Sequence, residues 1–562
     1  MAIKRYTATK DNTISDAYKS NLSGTATGSN MGFSDSLEVF SIYGQLSNSS
    51  GFTKELSRII IKFPVTGTTS IEADRDAGLI PASGNVNFHL NMYNAITPNT
   101  LPRDFTLNLY VLDQAWNEGD GLDMEEYKDL GTSNWIDRVN STAWVNAGAS
   151  FQDTASMTDG GAYAFFEDGN EDLSVDVTPY VEQWITGSAG GGFNNYGFLI
   201  ALTPTEESGS RSYYDKKFFA RSSEYFFKRP NIEARWNSAE TDDRGNFFLS
   251  SSLATAANNI NTLYLYNYVR GQLQDIPSLG SDKYVYVSLL SGSLDNSVPS
   301  GAALILSPDD AGRVRAAAPT VVTGGIISTG IYTASFAFTG STDLTDVFDI
   351  WFTGSLGTDV TTATIQFHTG NVIPKVLDSS NISPGSQYVT KITNLKPSYT
   401  RSEEPKLRVY TRKKNWSPTI YTVANSEIQT DIINQAYYRV IRTIDDSEVI
   451  SYGTGSNQQT KLSYDVSGNY FDFDMSLLES GYKVNVSTTA SMPQIKQFND
   501  ELESSNYAFE VDKYSQRFVP NVDFSKPNNF ARYGSAEEYY KKAIEWIYGY
   551  YPYDGCLKEK EE

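Results

Sequence analysis

Single-residue alternation of apolar and polar side chains recurs along this chain in short runs, and a period of two belongs to half-buried β-strands. The run GIYTASFAF (330–338) places Tyr332, Ala334, Phe336 and Phe338 on one face. FTLNLYVL (105–112), TLYLYNYV (262–269) and YVYVSLL (284–290) read the same way. Clusters of Gly, Ser, Asn, Thr and Pro separate these runs and supply turn chemistry. Strands at short intervals, with few amphipathic helices between them, close into antiparallel sandwiches or jelly rolls rather than βα units. The expected fold is all-β: multidomain β-sandwiches, a jelly roll followed by two Ig-like sandwiches, with a short C-terminal helical segment.

A length of 562 residues suggests three or four domains. The first is expected over 1–240, closing with the strand in RPNIEARWN (229–237). A polar linker, SAETDDRGN (238–246), leads into a second unit over 241–378, and LDSSNISPGSQ (377–387) marks the next break. A third unit is expected over 379–515, with a helical stretch in NSEIQTDIINQAYYRV (425–440). A docking segment follows over 516–562. There Ser535 and Glu538 form a capping box, and Ala536, Tyr540, Ala543, Ile547 and Tyr550 recur at helical spacing. Tyr539, Ile544 and Trp546 widen the apolar surface until a helix of about 15 residues must dock on something, its own chain or a neighbouring subunit.

Composition narrows the functional classes. With 45 Lys+Arg against 67 Asp+Glu, the net charge of −22 opposes wrapping nucleic acid by phosphate neutralisation. His89, His368 and Cys556 are the whole complement of His and Cys, too few for a disulfide framework or a Cys/His zinc site. No apolar run is long enough to span a bilayer, and MAIKRYTATKDNT lacks the apolar core of a secretory signal. Neither histidine lies near a nucleophile motif, both read as structural, and no phosphate or dinucleotide loop is present. Carboxylates alone remain as conceivable catalysts, and 67 acids give too many pairs to choose one. The acidic stretches DQAWNEGDGLDMEEYKD (113–129), with Glu118, Asp120, Asp123, Glu125 and Glu126, and FEDGNEDLSVD (166–176) resemble oxygen-rich calcium loops without EF-hand spacing. A solvated loop is the plainer reading. The chain is expected to be no enzyme and to need no cofactor.

Aromatic residues are the other feature, with 37 Tyr and 29 Phe. They concentrate in 213–227 and 533–553. In FFARSSEYFFKRP (218–230) the rings serve a core, a protein interface or a sugar. Candidate interface residues are Phe226, Phe227, Tyr540, Ile544, Trp546, Ile547, Tyr551 and Tyr553.

Two resemblances add to this reading. TATKDNTISDAY (7–18), SNMGFSDSLEVF (29–40), SRIIIKFPV (57–65), QAWNEG (114–119), NSTAWVNAG (140–148), LSVDVTPYVEQWITG (173–187) and KFFARSSEYFFKRPNIEARW (217–236) occur in an order that resembles the DNRLRE domain, a jelly roll related to carbohydrate-binding modules. Trp116 with Glu118, Asp176-Val177-Thr178, Trp184 with Gly187, and Pro230 occupy the matching places. DLGTSNWI (129–136), SYYDKKFFARSSEYFFKRP (212–230), KLSYDVSGNYFDFDM (461–475) and FARYGSAEEYYKKAIEWIYGYYPYDG (530–555) resemble virion structural proteins of tailed phages, particularly marine and cyanobacterial ones. That resemblance implies a structural component of the neck, tail or capsid surface, assembled in the host cytoplasm as a homo-oligomer among other virion proteins. Low cysteine and high acidity fit such a part. The alternative is a carbohydrate-binding adhesin that contacts a host-surface glycan. Neither a nucleic-acid nor a membrane partner is expected.

Overall fold

The computed structural model describes residues 2–511 except 20–21, 23, 49–50, 98–101, 124–126, 153–160, 210–212, 253, 280–282, 293–298, 308–318, 339–343, 355–364, 377–387, 414–429, 480–481 and 491–506. Among the described residues the fold is β throughout, with α-helices only at Ile71–Asp76, Thr178–Thr186 and Pro204–Ser208. Among the described residues the ladders between strands are antiparallel, and parallel pairing is confined to the isolated bridges Thr241–Tyr464 and Phe248–Lys375.

Two sheets build the region up to Arg235. One orders the strands Ile3–Thr7, Asn231–Arg235, Asn87–Met92 and Leu173–Asp176. The other runs Ala162–Phe166, Phe105–Leu112, Phe198–Leu202, Gly51–Lys62, Ser36–Asn48 and Tyr213–Phe219, with Lys10–Ser15 and Phe151–Gln152 attached at its side. The chain passes repeatedly from one sheet to the other, and both inner faces fill one core. Phe105, Leu107, Leu109 and Val111 enter it at period two, as their alternation requires. A smaller core lies on the outer side of the larger sheet, where Trp116, Trp135 and Trp144 cover Ile14, Ile60 and Leu199.

The second region is a two-layer sandwich stitched by one shared strand. Val322–Ser328 pairs through Val322, Thr323 and Gly324 with Val285–Gly292, and through Gly325 and Ile326 with Ile331–Phe338. The changeover falls on Gly324-Gly325. A Cβ on Gly324 would sit 2.5 Å from the Thr333 carbonyl oxygen, so only glycine lets the strand turn that corner. Tyr332, Ala334, Phe336 and Phe338 all face the core, with Thr333 and Ser335 outward. The run 262–269 does not stay whole: the strand Asn261–Tyr266 ends, and Tyr268–Val269 turns into a hairpin with Gln272–Leu273.

The third region faces the sheet Tyr388–Ile392, Lys406–Lys413, Gly468–Asp472, Ser463–Asp465 against the sheet Glu448–Ile450, Ala436–Arg442, Tyr482–Ala490, Tyr507–Val511. It corrects the helix expected at 425–440. Residues 430–435 are not helical, and Ala436–Arg442 is a strand. Ala436, Tyr438 and Val440 enter the core at period two, and Tyr438 stacks on Phe471 with centroids 4.4 Å apart. The β-branched and aromatic side chains that weakened the helical pattern are those that suit a strand.

Candidate functional site

The Trp-x-Glu loop is built around a polar pin. Asn30 donates its amide to the carbonyls of Glu118 at 2.7 Å and Ser133 at 2.8 Å, and its Oδ1 accepts from the Gly121 N–H at 2.9 Å. Asn12 donates to the Ser133 carbonyl and hydroxyl and accepts from the Met31 N–H. The Glu118 carboxylate takes a bidentate grip from Arg221, at 2.6 and 2.5 Å, and also accepts the Asp11 N–H. Asp11 in turn accepts the Arg221 N–H at 2.6 Å. Burial pushes the Asp11 carboxyl up to about 7, against the pull of that backbone donor. Trp116 is buried and donates to the Tyr196 carbonyl. Glu118, the acid that could have served as catalyst or cation ligand, is committed to closing the loop.

The other matched motifs are structural in the same sense. Thr178 accepts the Phe88 N–H and donates its own N–H to Asp176. Trp184 is buried against Phe198 at 4.7 Å, and Gly187 ends the helix with φ of 66°. The Pro230 carbonyl accepts the Ala8 N–H.

Carboxylates crowd in two more places. Asp215 shares a hydrogen bond with Glu38 on the neighbouring strand, and burial followed by the Glu38 charge pushes Asp215 up to about 7. Lys217 pairs with Glu38 at 2.9 Å. In the acidic stretch, burial followed by the Asp129 charge pushes Asp123 up to about 6, while Asp129 accepts the N–H groups of Leu122 and Asp123. Among the described residues no group of three His, Cys, Asp or Glu is arranged to hold a metal ion. Glu125, Glu126 and Cys556 lie outside those residues. His89 and His368 are both lowered, chiefly by burial, and His89 reaches Asn457 across the first and third regions at 3.4 Å.

The densest polar constellation is the junction of the three regions, centred on the segment expected to be a plain linker. Its backbone joins the third sandwich: Glu240 N–H donates to the Ser463 hydroxyl, Tyr464 N–H to the Glu240 carbonyl, and Asp242 N–H to the Tyr464 carbonyl. Tyr464 and Tyr470 donate their hydroxyls to Asp243 at 2.6 Å and Glu240 at 2.9 Å. The same Asp243 accepts the Thr262 N–H of the second sandwich at 2.6 Å. Arg244 forms two bonds of 2.6 Å to Asp349, which is fully buried and also accepts the Trp351 indole N–H. Arg5 of the first strand joins Glu233 and the Val449 carbonyl, both at 2.6 Å.

Phe226 and Phe227 belong to this junction. Ile3 and Phe227 are buried in the core cluster of the third sandwich, with Phe226 packed beside them. The guanidiniums of Arg401 and Arg442 lie 5.1 Å from the Phe226 and Phe227 ring centroids. Phe227, and Phe226 in part, thus pack within the chain, where the first region meets the third. Tyr540, Ile544, Trp546, Ile547, Tyr551 and Tyr553 lie outside the described residues. Sequence reasoning missed Arg5, Arg244, Asp349 and Tyr464. Their only local signal was the density of acids in 240–243, which reads equally well as a solvated linker.

No known protein-family model and no curated protein matches this chain.

Proposed function

We propose that this chain is a non-enzymatic structural component of a tailed-phage particle, a rigid block of three β-sandwiches that holds other virion proteins at fixed separations. The junction carries the reading. Asp243 bonds both the second and third sandwiches, Arg244 anchors the second through a buried carboxylate, and Arg5 with Phe227 ties the first to the third. Relative motion of domains is the default within a chain, and a part that holds its neighbours at fixed separations gains from contacts that suppress it. The assignment to a phage rests on the motifs at 129–136, 212–230, 461–475 and 530–555. Assembly into a homo-oligomer is assigned to the segment 516–562, whose helical pattern carries more apolar surface than one helix can hide.

The test is compositional. Mass spectrometry of purified particles should find the chain at a fixed copy number that is a multiple of the local symmetry, and a reconstruction should place it on the neck, tail or capsid surface. Its absence from purified particles would overturn the proposal.

A further inference from the structure

Lys216 and Asn94 meet at the edge of the first core with the parts of an amide-forming site around them. Lys216 lies on the edge strand Tyr213–Phe219 of the larger sheet, and Asn94 follows the strand Asn87–Met92 of the smaller one. Asn94 pairs as an isolated bridge with Phe218, two residues from Lys216 and on the same strand face. That register brings the Lys216 Nζ to 2.8 Å from the Asn94 Oδ1. The amide carbon lies ~1.2 Å behind that oxygen and so about 3–4 Å from the nitrogen, near the range at which reacting atoms meet. Lys216 is buried, and the rings of Phe166 and Phe218 stand 4.8 and 5.2 Å from Nζ. Two carboxylates lie beside the pair. Asp172 accepts the Asn94 N–H at 2.7 Å. Glu171 has one oxygen on the Asp168 N–H at 2.6 Å and the other buried without a hydrogen-bond partner among the described residues.

We propose that Lys216 and Asn94 join in an intramolecular isopeptide bond, with Glu171 as the proton carrier. The hydrogen bonds around Nζ set the direction of attack. As an ammonium, Nζ donates to Asn94 Oδ1 and to the carbonyls of Gly169 and Glu171. Carbonyl oxygens only accept, so the amine keeps its two protons on the backbone carbonyls and turns its lone pair to the Asn94 amide. Burial favours that amine, lowering the pKa to about 8 against the charges of Glu171 and Asp172. Nζ gives a proton to the Glu171 carboxylate and bonds to the Asn94 Cγ. The Cγ–Nδ2 bond then breaks, its electron pair leaving with Nδ2. Glu171 passes its proton to Nδ2, and the second proton shed by Nζ makes the leaving group an ammonium ion. An ammonium and a primary amide thus become a secondary amide and a free ammonium, with no oxidant or co-reactant. Until it reacts, the lysine stays the hydrogen-bonded ammonium. Once closed, the bond joins residues 122 positions apart and clamps the larger sheet to the smaller.

The proposal is independent of a place in a virion and is tested on the purified full-length chain. Incubated at about pH 9, where the amine form dominates, the wild type should lose the mass of one ammonia. A proteolytic digest should then yield a branched peptide joining Asn94 to Lys216. A succinimide at an asparagine loses the same mass without the branch, so the branch decides. Lys216→Met and Asn94→Ala should each abolish it. Glu171→Gln, which leaves the backbone carbonyl beside Nζ in place, should slow its formation by ~10-fold or more. Lys375 also reaches an asparagine, Asn246 Oδ1 at 3.2 Å, but in an exposed position, so Lys375→Met should react as the wild type does. Three results would overturn the proposal: a wild type without the branched peptide after incubation, an ammonia loss that persists in Lys216→Met, or Glu171→Gln reacting at the wild-type rate.

Discussion

Lys216 shows how a single residue can defy its usual place and still be explained. Lysine is rarely buried unless paired, yet Lys216 points into the first core with 2% exposure. Its ammonium donates to Asn94 Oδ1 at 2.8 Å and to the carbonyls of Gly169 at 2.9 Å and Glu171 at 2.8 Å, which uses all three protons. The rings of Phe166 and Phe218 flank it at 4.8 and 5.2 Å. Burial lowers its pKa to about 8 all the same. A folded-state pKa below the unfolded value means that the folded state binds fewer protons in between. Stability should therefore rise as pH climbs from about 8 toward 10.5. Lys216→Met leaves three acceptors without their donor and should cost about 2–4 kcal/mol in denaturant unfolding at pH 7. The gap between wild type and variant should widen as the pH is raised from 8 to 10. A gap that narrows would show that the ammonium is not the group responsible.

At the scale of elements, the loop after the strand Phe105–Leu112 is held by close approach to Asn30. A Cβ on Gly131 would meet the Asn30 Cβ at 2.2 Å, which backbone movement alone can relieve. Gly131→Ala should therefore cost roughly 2–3 kcal/mol and expose the loop to limited proteolysis between residues 117 and 135, with the second and third sandwiches still resistant. The linker offers a charge-based counterpart. Asp242 is buried, and desolvation raises its carboxyl to about 6 although the Arg244 N–H donates to it. Its ionised form is disfavoured in the fold, so the cost is absent below about pH 4 and complete above about pH 6. Asp242→Asn keeps the acceptor and removes the charge. It should gain about 1–3 kcal/mol at pH 8 and almost nothing at pH 4, as pH-dependent thermal unfolding would show. These elements also mark how far the sequence was legible. The alternation in 330–338 named the inward residues, and that in 105–112 marked a strand, because burial of one strand face is a local pattern. Trp116 and Glu118 could be singled out from their motif, but not Asn30, whose hydrogen bonds reach 88 and 103 residues along the chain. The linker looked solvated because Asp243 and Arg244 acquire their meaning only from Tyr464 and Asp349, and composition carries no record of such distant partners.

For the molecule as a whole, the consequence is mechanical: three separate cores should behave as one body for as long as the junction holds. Arg244 and Asp349 are the place to break it. The Asp349 carboxylate has no exposure, and the guanidinium supplies two of its hydrogen bonds. Arg244→Ala leaves a buried carboxylate with the Trp351 N–H as its remaining side-chain donor, and breaking a buried pair in this way costs about 3–5 kcal/mol. The loss falls on the second sandwich and its attachment, since Asp349 lies on that sandwich's strand Val347–Thr353 and Arg244 on the segment that leads into it. Calorimetry should therefore show the second sandwich melting ahead of the other two, as a separate transition that wild type lacks. Small-angle scattering below that transition should report a larger radius of gyration, because the tether at Arg244 is released while the linker backbone remains bonded to the third sandwich. Tyr464→Phe removes one charge-assisted bond to Asp243 and should produce the same change in weaker form, near 1.5–3 kcal/mol. An Arg244→Ala chain with a single unshifted transition and an unchanged radius would refute the junction as the source of rigidity, and with it the physical basis for reading this chain as a spacer.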